Sequence, residues 1–296
     1  MKLLVTGAGG AVGSAVVELA SGKYDVYSVY NSHYPSGGRP MRLNLLDTSK
    51  VADLVAILRP DAVVHAAALT DVEKCEREYE LADAINHKST RILAEAAKRI
   101  GAYFLYVSTD YVFDGAKGFY SEDDSTNPIS TYGLTKLRGE QSVELVGGEF
   151  CIARGSVIYG ARPAAGKVNF ALWLTERLRR HESTNVVRDQ IVSPTFDLNF
   201  ASMVVEALDR HLTGTYHFAG ATRISRYQFA VTLAEGLGAD PSLIKPVLMS
   251  QMNWTAKRPK DSSLSVTKAT SIMSEKPLTV AEAISEFSRS MTKGGL

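Results

Sequence analysis

The sequence has few cysteines, and its apolar runs are short. Only two cysteines, Cys75 and Cys151, occur among 296 residues, which is too few for a disulfide framework or a four-cysteine zinc site. We therefore expect reduced thiols and no bound metal. No stretch approaches the roughly 18 apolar residues that a membrane span requires, and the run at residues 3–5 is too short for a signal peptide. We expect a cytoplasmic protein with no membrane contact.

Neither sign of charge is in excess. The chain has 33 Lys and Arg residues against 32 Asp and Glu residues, for a net charge of +1. Proteins that bind nucleic acid usually carry a basic stripe, so we expect no nucleic-acid partner. With 45% hydrophobic and 22% charged residues, the composition is typical of a soluble globular protein, and the length fits one large α/β domain with a smaller one.

A strand, a glycine-rich turn and a helix follow one another at the start of the chain. Residues 3–6 are mainly apolar, glycines follow at positions 7, 10 and 13, and apolar residues then recur at helical spacing. Such glycines let the backbone turn tightly, approach a pyrophosphate, and direct helix amide groups at negative charge. The pattern predicts a dinucleotide-binding turn. The alternative is a glycine turn with a purely structural role.

Strand and helix patterns alternate through the first half of the chain. Strands are predicted at residues 24–30, 43–47, 61–68, 103–107 and 150–154, with helical patterns between them. Repeated βα order predicts an α/β protein with a Rossmann-type, doubly wound parallel sheet. His65 lies within a continuous apolar strand, so we expect a core residue with satisfied hydrogen bonds rather than a catalyst.

The regular alternation weakens after residue 155. We predict a dinucleotide-binding domain over residues 1–155 and a smaller C-terminal substrate domain over residues 156–296, with residues 186–212 returning to the first domain. A helix is predicted at residues 170–178 and a late strand at 215–219. Residues 155–167 are rich in Gly, Ala, Pro and basic residues, and loops are predicted at residues 236–246 and 258–263.

The second predicted strand ends in Asn31, Ser32 and His33, without a carboxylate. NAD-preferring sites usually present an acidic residue to the ribose 2′-hydroxyl at this point. Its absence favours NADPH, with NADH as the alternative cofactor. His33 or Arg39 could donate hydrogen bonds to a 2′-phosphate, unless Arg39 is merely a solvated loop residue.

Tyr132 and Lys136 are four residues apart, so a helix places them on one face. Pro128 suits the first turn of that helix, which we expect to end at Gly147 and Gly148. A nearby ammonium lowers the pKa of a phenol by stabilising the phenolate. The pair therefore predicts a proton-transferring tyrosine near residues 108–110, which follow a buried strand. The alternative is a chance pair on a solvated helix face.

Four motifs together resemble the dTDP-4-dehydrorhamnose reductase family of extended short-chain dehydrogenases/reductases. They are Ser108-Thr-Asp-Tyr-Val-Phe-Asp-Gly115, Pro128-x-x-x-Tyr132-Gly-x-x-Lys136-x-x-Gly139-Glu140, Arg154-Gly-x-x-x-Tyr159-Gly160 and Asp189-Gln190-x-x-Ser193-Pro194-Thr195. The resemblance covers nearly the whole chain. It implies that Thr109, Tyr132 and Lys136 are catalytic. The expected cofactor-binding residues are Gly7, Gly10, Ala11, Val12, Gly13, Asn31, Ser32, Ala66, Ala67, Tyr132 and Lys136.

The expected substrate-binding residues are Thr109, Asp110, Tyr111 and Arg258. The Arg258 guanidinium matches the geometry of phosphate oxygens, although a solvated loop arginine is the alternative. Two departures from the family pattern are expected on the substrate side. Val192 stands where family members commonly have glycine, and Ser265 stands where Asp is common.

The leading hypothesis is NADPH-dependent reduction of a 4-keto-6-deoxy sugar nucleotide, most specifically dTDP-4-dehydro-L-rhamnose to dTDP-L-rhamnose. One alternative is a sugar-nucleotide epimerase or dehydratase that retains NAD. Another is an NADP-binding regulatory subunit resembling that of methionine adenosyltransferase. A homodimer is a candidate assembly. Fold alone does not separate these functions, because the site determines function.

Overall fold

A parallel sheet forms the centre of the protein. A computed structural model describes residues 1–162 and 168–293. Within them the strands are β1 (Lys2–Thr6), β2 (Asp25–Tyr30), β3 (Arg39–Arg42), β4 (Ala62–His65), β5 (Tyr103–Thr109), β6 (Phe150–Gly155), β7 (Ile158–Tyr159), β8 (Thr184–Val187), β9 (Ile191–Val192), β10 (Thr195–Phe196), β11 (Gly214–His217), β12 (Ile224–Ser225) and β13 (Ile244–Val247).

The helices in the described residues lie between and after these strands. They are α1 (Ala11–Ala20), α2 (Thr48–Leu58), α3 (Val72–Arg77), α4 (Tyr79–Asp83), α5 (Ser89–Arg99), α6 (Thr131–Val146), α7 (Phe170–Arg179), α8 (Asp197–Asp209), α9 (Arg226–Gly236), α10 (Thr267–Ile272) and α11 (Val280–Lys293). A π-helical turn at Ala84–Lys88 leads into α5, and a 3₁₀ turn at Asp110–Val112 follows β5. None of the helices in this part of the chain is long and apolar enough to cross a membrane.

Seven parallel strands pair in the order β11-β6-β5-β4-β1-β2-β3. The chain winds outwards from β1 to β3, then returns to place β4 on the other side of β1. This change of direction opens a crevice at the carboxyl ends of β1 and β4. The predicted Rossmann-type sheet is confirmed.

Helices cover both faces of the sheet. On one face, α1 and α8 pack together over a core that includes Val16, Phe200 and Val204. On the other, α2, α5 and α6 enclose a core that includes Val51 and Leu93. Every residue of β5 is buried, which accounts for its continuous apolar pattern, because parallel strands are covered on both faces.

A smaller lobe forms around α7, α9 and α11. Tyr159 lies at the centre of its core, with ring centroids 5.0 Å from Phe229 and 5.8 Å from Phe287. The short strands pair as β7 with β10, β9 with β12, and β8 with β13. The segment at 186–212 contacts both parts, because the end of β8 pairs with β13 while α8 packs against the main sheet.

Three local predictions are wrong. The third strand is Arg39–Arg42 rather than residues 43–47, because its backbone pairs in parallel with β2 and the later segment turns into Asp47, which caps α2. Residues 244–246 of the loop predicted at 236–246 belong instead to β13 (Ile244–Val247). The helix of Tyr132 begins at Thr131, where the Ser130 side chain accepts from the Gly133 N–H, so Pro128 precedes it. Residues 163–167 of the Gly- and Pro-rich segment 155–167 lie outside the described residues.

The other element predictions are confirmed within a few residues. The Tyr132 helix ends before Gly147, α7 covers the predicted helix near 170–178, and β11 covers most of the late strand. His65 is a core residue: the Thr6 hydroxyl lies 2.7 Å from its Nδ1, and the Thr90 hydroxyl lies 2.9 Å from its Nε2. Burial lowers the pKa of this histidine to about 3, with a further contribution from the charge of Lys136.

Candidate functional site

A cleft of about 670 Å³ lies at the carboxyl edge of the sheet, between the sheet and the smaller lobe. Parallel strands all end at this edge, so residues far apart in sequence meet there. The predicted site residues all line the cleft. They are Gly7, Gly10, Ala11, Val12, Gly13, Asn31, Ser32, Ala66, Ala67, Thr109, Asp110, Tyr111, Tyr132, Lys136 and Arg258.

The glycine turn is tightly packed at one end of the cleft. Gly7 has a φ of +68°, and a Cβ there would lie 2.7 Å from the Ala67 backbone. A Cβ on Gly13 would overlap the Gly7 carbonyl oxygen, so both positions require glycine. Gly10 caps α1 without a side-chain hydrogen bond. Amide donors at this helix start therefore remain available to an anionic group in the cleft.

The loop after β2 forms the next part of the wall. It contributes Asn31, Ser32 and His33 to the cleft, and none of these is acidic. A Cβ on Gly9 would overlap the His33 carbonyl oxygen, so this loop packs directly on the glycine turn. Arg39 lies on β3 outside the cleft lining and pairs with Asp25 at 2.8 Å. This position and pairing do not favour Arg39 as a donor to a cofactor.

Tyr132 meets Thr109 where α6 packs on the turn after β5. A Cβ on Gly133 would overlap the Tyr111 carbonyl oxygen, so glycine permits this close approach. The Tyr132 ring lies edge-on to the Tyr111 ring, with centroids 5.6 Å apart. The Thr109 side chain lies close enough to the Tyr132 phenol to lower its pKa. The end of β5 and the start of α6 thus bring two hydroxyl groups together in the cleft.

Lys136 is buried beneath this pair. Its Nζ donates to the Val107 carbonyl at 2.7 Å and lies 4.0 Å from the centroid of the Tyr106 ring. Burial lowers the pKa of Lys136 to about 7, while the charge of Glu140 acts in the opposite direction.

The predicted lowering of the Tyr132 pKa by Lys136 is not what the structure gives. Burial raises the pKa of the phenol, the nearby Thr109 side chain opposes that rise, and the charge of Asp110 adds to it. Sequence spacing correctly predicted that Tyr132 and Lys136 share a cleft. The spacing could not show that burial would desolvate the phenol, or that the Lys136 ammonium would point towards the Val107 carbonyl.

Asp110 lies 2% exposed at the centre of a hydroxyl cluster. Its Oδ2 accepts from the hydroxyls of Ser156 at 2.8 Å and Ser262 at 2.5 Å, and its Oδ1 accepts from Thr109 at 3.1 Å. Burial raises the pKa of this carboxyl, and the three hydroxyls oppose the rise. The sequence did not identify Ser156 or Ser262 as site residues. Each nevertheless lies shortly after an arginine of interest, since Ser156 follows Arg154 and Ser262 follows Arg258.

Arg258 is held by Glu73 of α3. Its Nη2 donates to Glu73 Oε1 at 2.9 Å, and its guanidinium lies 4.2 Å from the centroid of the Trp254 ring. Glu73 Oε2 accepts from the Thr255 N–H at 2.9 Å and the Ala256 N–H at 3.3 Å. The Arg258 side chain is 16% exposed, so it is not a solvated loop arginine. Its buried Nε has no hydrogen-bond partner among the described residues.

Several lining residues from the smaller lobe were missed by sequence analysis, namely Val168, Asn169, Phe170 and Arg226. The two family departures, Val192 and Ser265, lie outside the cleft lining, so this geometry gives no support to the expected substrate contact. Val192 is fully buried on β9 and pairs with Ile224, and the Ser265 N–H donates to the Tyr120 carbonyl at 2.7 Å.

Comparisons with known proteins agree with this architecture. Residues 1–293 match the family model described as the RmlD substrate binding domain. The probable low-salt glycan biosynthesis reductase Agl14 of Haloferax volcanii is 35% identical over 270 residues, covering 90% of each chain. The dTDP-4-dehydrorhamnose reductase of Burkholderia thailandensis is 34% identical over 292 residues, again covering 90% of each.

A solved structure and a relative of a different kind also match. The dTDP-4-dehydrorhamnose reductase of Bacillus anthracis, solved in complex with NADP, has a TM-score of 0.87 and 30% identity, covering 97% of this chain and 98% of that one. Methionine adenosyltransferase 2 subunit beta of Rattus norvegicus is 30% identical over 278 residues, covering 90% of this chain and 81% of that protein. Because the family model spans nearly the whole chain, the chain belongs to the dTDP-4-dehydrorhamnose reductase family that the RmlD substrate binding domain defines.

Proposed function

We propose that the protein is an NADPH-dependent reductase of a 4-keto-6-deoxy sugar nucleotide, which converts dTDP-4-dehydro-L-rhamnose to dTDP-L-rhamnose. The observation that carries the proposal is the single cleft shared by the glycine turn, the Thr109 and Tyr132 hydroxyls, and Arg258. Such a cleft offers a cofactor-binding end, a proton donor and a phosphate-binding end. The names of the Burkholderia and Bacillus relatives support the same reaction.

The residues at the first end fit NADPH. The uncapped start of α1 offers amide donors for a pyrophosphate, and Asn31 and Ser32 present no carboxylate to repel a 2′-phosphate. Ser108 lines the cleft with a buried hydroxyl that has no partner among the described residues. Bound NADPH would supply the hydride.

Tyr132 is the proposed proton donor to the O4 atom of the sugar. Its raised pKa keeps the phenol protonated at neutral pH, as a general acid for carbonyl reduction requires. Thr109 would hold the same oxygen through its hydroxyl. Lys136 would hold the nicotinamide ribose, and Asp110 and Tyr111 would line the sugar subsite. Arg258 would hold the phosphates, and its unpartnered Nε is a donor available for that purpose.

The two proposed domains correspond to the main sheet and the smaller lobe. We propose residues 1–155 as the dinucleotide-binding domain and residues 156–296 as the substrate domain, with residues 186–212 returning to the first. The packing of α8 on α1 supports that return. We also propose that the protein works in the cytoplasm and assembles as a homodimer.

Two other functions are compatible with this fold. The similarity to rat methionine adenosyltransferase 2 subunit beta supports a role as the subunit of another enzyme, but the presence of Thr109, Tyr132 and Lys136 in one cleft supports a catalytic role. The lack of a carboxylate after β2 weighs against an epimerase or dehydratase that retains NAD.

The direct test is oxidation of NADPH by the purified protein with dTDP-4-dehydro-L-rhamnose, followed by identification of the sugar product. We expect stoichiometric NADP⁺ and dTDP-L-rhamnose. Copurified NAD that does not exchange would support the epimerase or dehydratase function. If the protein shows no turnover and a pull-down recovers a synthetase in stoichiometric amount, the regulatory function would be supported.

A further inference from the structure

A second arginine, Arg226, lines the cleft and has no role in the function proposed above. It is the first residue of α9, and it lines the cleft together with Phe170 and Arg258. Its guanidinium lies 5.6 Å from the centroid of the Phe170 ring. An arginine whose side chain packs beside an aromatic ring loses less freedom when it binds a ligand, since it is already partly ordered.

Gln190 orients Arg226. Gln190 is 1% exposed, and its Oε1 accepts from Arg226 Nε at 2.7 Å. The Gln190 carbonyl accepts from the Arg226 N–H at 3.0 Å. Gln190 Nε2 also lies 3.4 Å from the Pro259 carbonyl oxygen, next to Arg258. One buried amide therefore fixes Arg226 and connects it to the segment that carries the other cleft arginine.

The rest of the Arg226 guanidinium is available to a ligand. Its two Nη groups donate to no acceptor within residues 1–162 and 168–293. The charge of Arg226 acts to lower the pKa of Asp110. That carboxylate, however, already accepts hydrogen bonds from the hydroxyls of Ser156 and Ser262. Because Gln190 uses only Nε, four of the five guanidinium N–H donors remain for another acceptor.

The charges in the cleft indicate an anionic acceptor. Its Lys, Arg and Asp residues are Lys136, Arg226, Arg258 and Asp110. Lys136 is directed at the Val107 carbonyl, so the two arginines are the remaining fixed positive charges of this lining. A guanidinium fork matches phosphate oxygens, and a diphosphate offers such oxygens on two phosphorus atoms.

We propose that Arg226, oriented by Gln190, is a substrate-binding residue that shares with Arg258 the diphosphate of a nucleoside diphosphate sugar. This inference rests on the proposed function and deepens it. Arg226 contacts one phosphate and Arg258 contacts the other, so affinity for the nucleotide depends on the number of phosphates. A nucleoside monophosphate fills only half of such a site.

The test is calorimetric binding of dTDP and dTMP, with NADPH saturating so that the cofactor end of the cleft is filled. We expect wild type to prefer dTDP. Arg226→Gln should weaken dTDP binding by about 10- to 100-fold, as expected for loss of charged hydrogen bonds, and should weaken dTMP binding much less. Arg226→Lys keeps the charge without the fork and should give an intermediate loss. Arg289→Gln removes the same charge from an exposed site on α11 and should match wild type.

Other outcomes separate this inference from the function on which it rests. Unchanged dTDP affinity in Arg226→Gln, or an equal loss for dTDP and dTMP, overturns the inference and leaves the proposed reaction standing. If Arg226→Gln binds dTDP more weakly but the wild-type protein does not turn over dTDP-4-dehydro-L-rhamnose, the inference is supported and the proposed reaction is overturned. Failure of wild type to bind dTDP overturns both.

Discussion

Glu73 and Arg258 join the two sides of the cleft through a hydrogen bond of 2.9 Å. Glu73 belongs to α3 beside the main sheet, and Arg258 belongs to a loop beyond β13. The same carboxylate accepts from the backbone of Thr255 and Ala256, and these interactions lower the pKa of Glu73 against the effect of its burial. A single side chain thus holds the loop that presents the proposed phosphate-binding arginine.

Glu73→Ala should raise the KM for the sugar nucleotide, because Arg258 and its loop lose their anchor. The Kd for NADPH should stay the same, since the cofactor residues are not touched. We expect a smaller effect from Glu73→Gln, whose amide oxygen still accepts from the Thr255 N–H. Steady-state kinetics measure both variants, with Glu80→Ala, an exposed site on α4, as the control. An unchanged KM in Glu73→Ala would show that the anchor is not needed.

Arg258→Ala should raise the KM for the sugar nucleotide about 10- to 100-fold, because charged hydrogen bonds to phosphate are lost. NADPH binding should be unaffected. Steady-state kinetics measure the KM for the sugar nucleotide, and fluorescence titration measures the Kd for NADPH. Equal losses in both would mean that the change disturbs the whole cleft rather than the phosphate subsite.

Tyr132→Phe should lower both kcat and kcat/KM by about 10²- to 10⁴-fold, the usual loss when a general acid is removed. The ring is kept, so the fold and the Kd for NADPH should be preserved. The assay is NADPH oxidation with dTDP-4-dehydro-L-rhamnose. Tyr34→Phe is the control, since Tyr34 is 70% exposed and lies outside the cleft lining. Retention of more than about a third of kcat would exclude Tyr132 as the acid.

Acid should destabilise the protein through His65. Burial lowers the pKa of His65 to about 3 from its usual 6.5, so only the unfolded state binds the proton between these values. The free energy of unfolding should therefore fall as the pH is lowered below 6.5, by up to about 1.4 kcal/mol per pH unit from this residue.

Urea unfolding of wild type, His65→Gln and His211→Gln at pH 6.5 and 5 measures this contribution. The glutamine at position 65 keeps a hydrogen-bonding side chain and removes the titration, so its unfolding free energy should change less with pH. His211 is 51% exposed and serves as the matched control. Equal pH dependence in all three proteins would contradict the prediction.

Gly13→Ala should abolish NADPH binding and lower the melting temperature, because the new Cβ would overlap the Gly7 carbonyl oxygen. Gly22→Ala is the matched control, since nothing lies within 4 Å of a Cβ there. Fluorescence titration and thermal unfolding measure both effects. If the two variants behaved alike, the close contact in the glycine turn would not be required.

The sequence predicted those parts of the site that follow from local pattern. A strand pattern followed by Thr109, and a helical spacing from Tyr132 to Lys136, were enough to bring these residues to one edge, because parallel strands end together. The same logic predicted the glycine turn. Burial then changed the electrostatics, since the pKa of a phenol depends on groups that are distant in sequence.

The other wall of the cleft could not be predicted. Phe170 and Arg226 are the first residues of α7 and α9 in the smaller lobe, and a helical pattern does not show where such a helix lies relative to the sheet. Ser262 reaches Asp110 across 152 residues of sequence, and only tertiary packing specifies such a pair. The third strand was misplaced because its four residues carry Pro and Arg, and pairing with β2 outweighed their weak local preference.

The contact between Gly9 and the loop after β2 limits the ways in which coenzyme preference can be re-engineered. The His33 carbonyl oxygen lies 2.4 Å from the position that a Cβ of residue 9 would take, so the loop has no space to move towards the glycine turn or to accept an insertion on that side. Exchange of NADPH for NADH must therefore come from side chains that project away from the contact. Asn31 and Ser32 line the cleft, and an acidic residue at either position is the change that this backbone can accommodate.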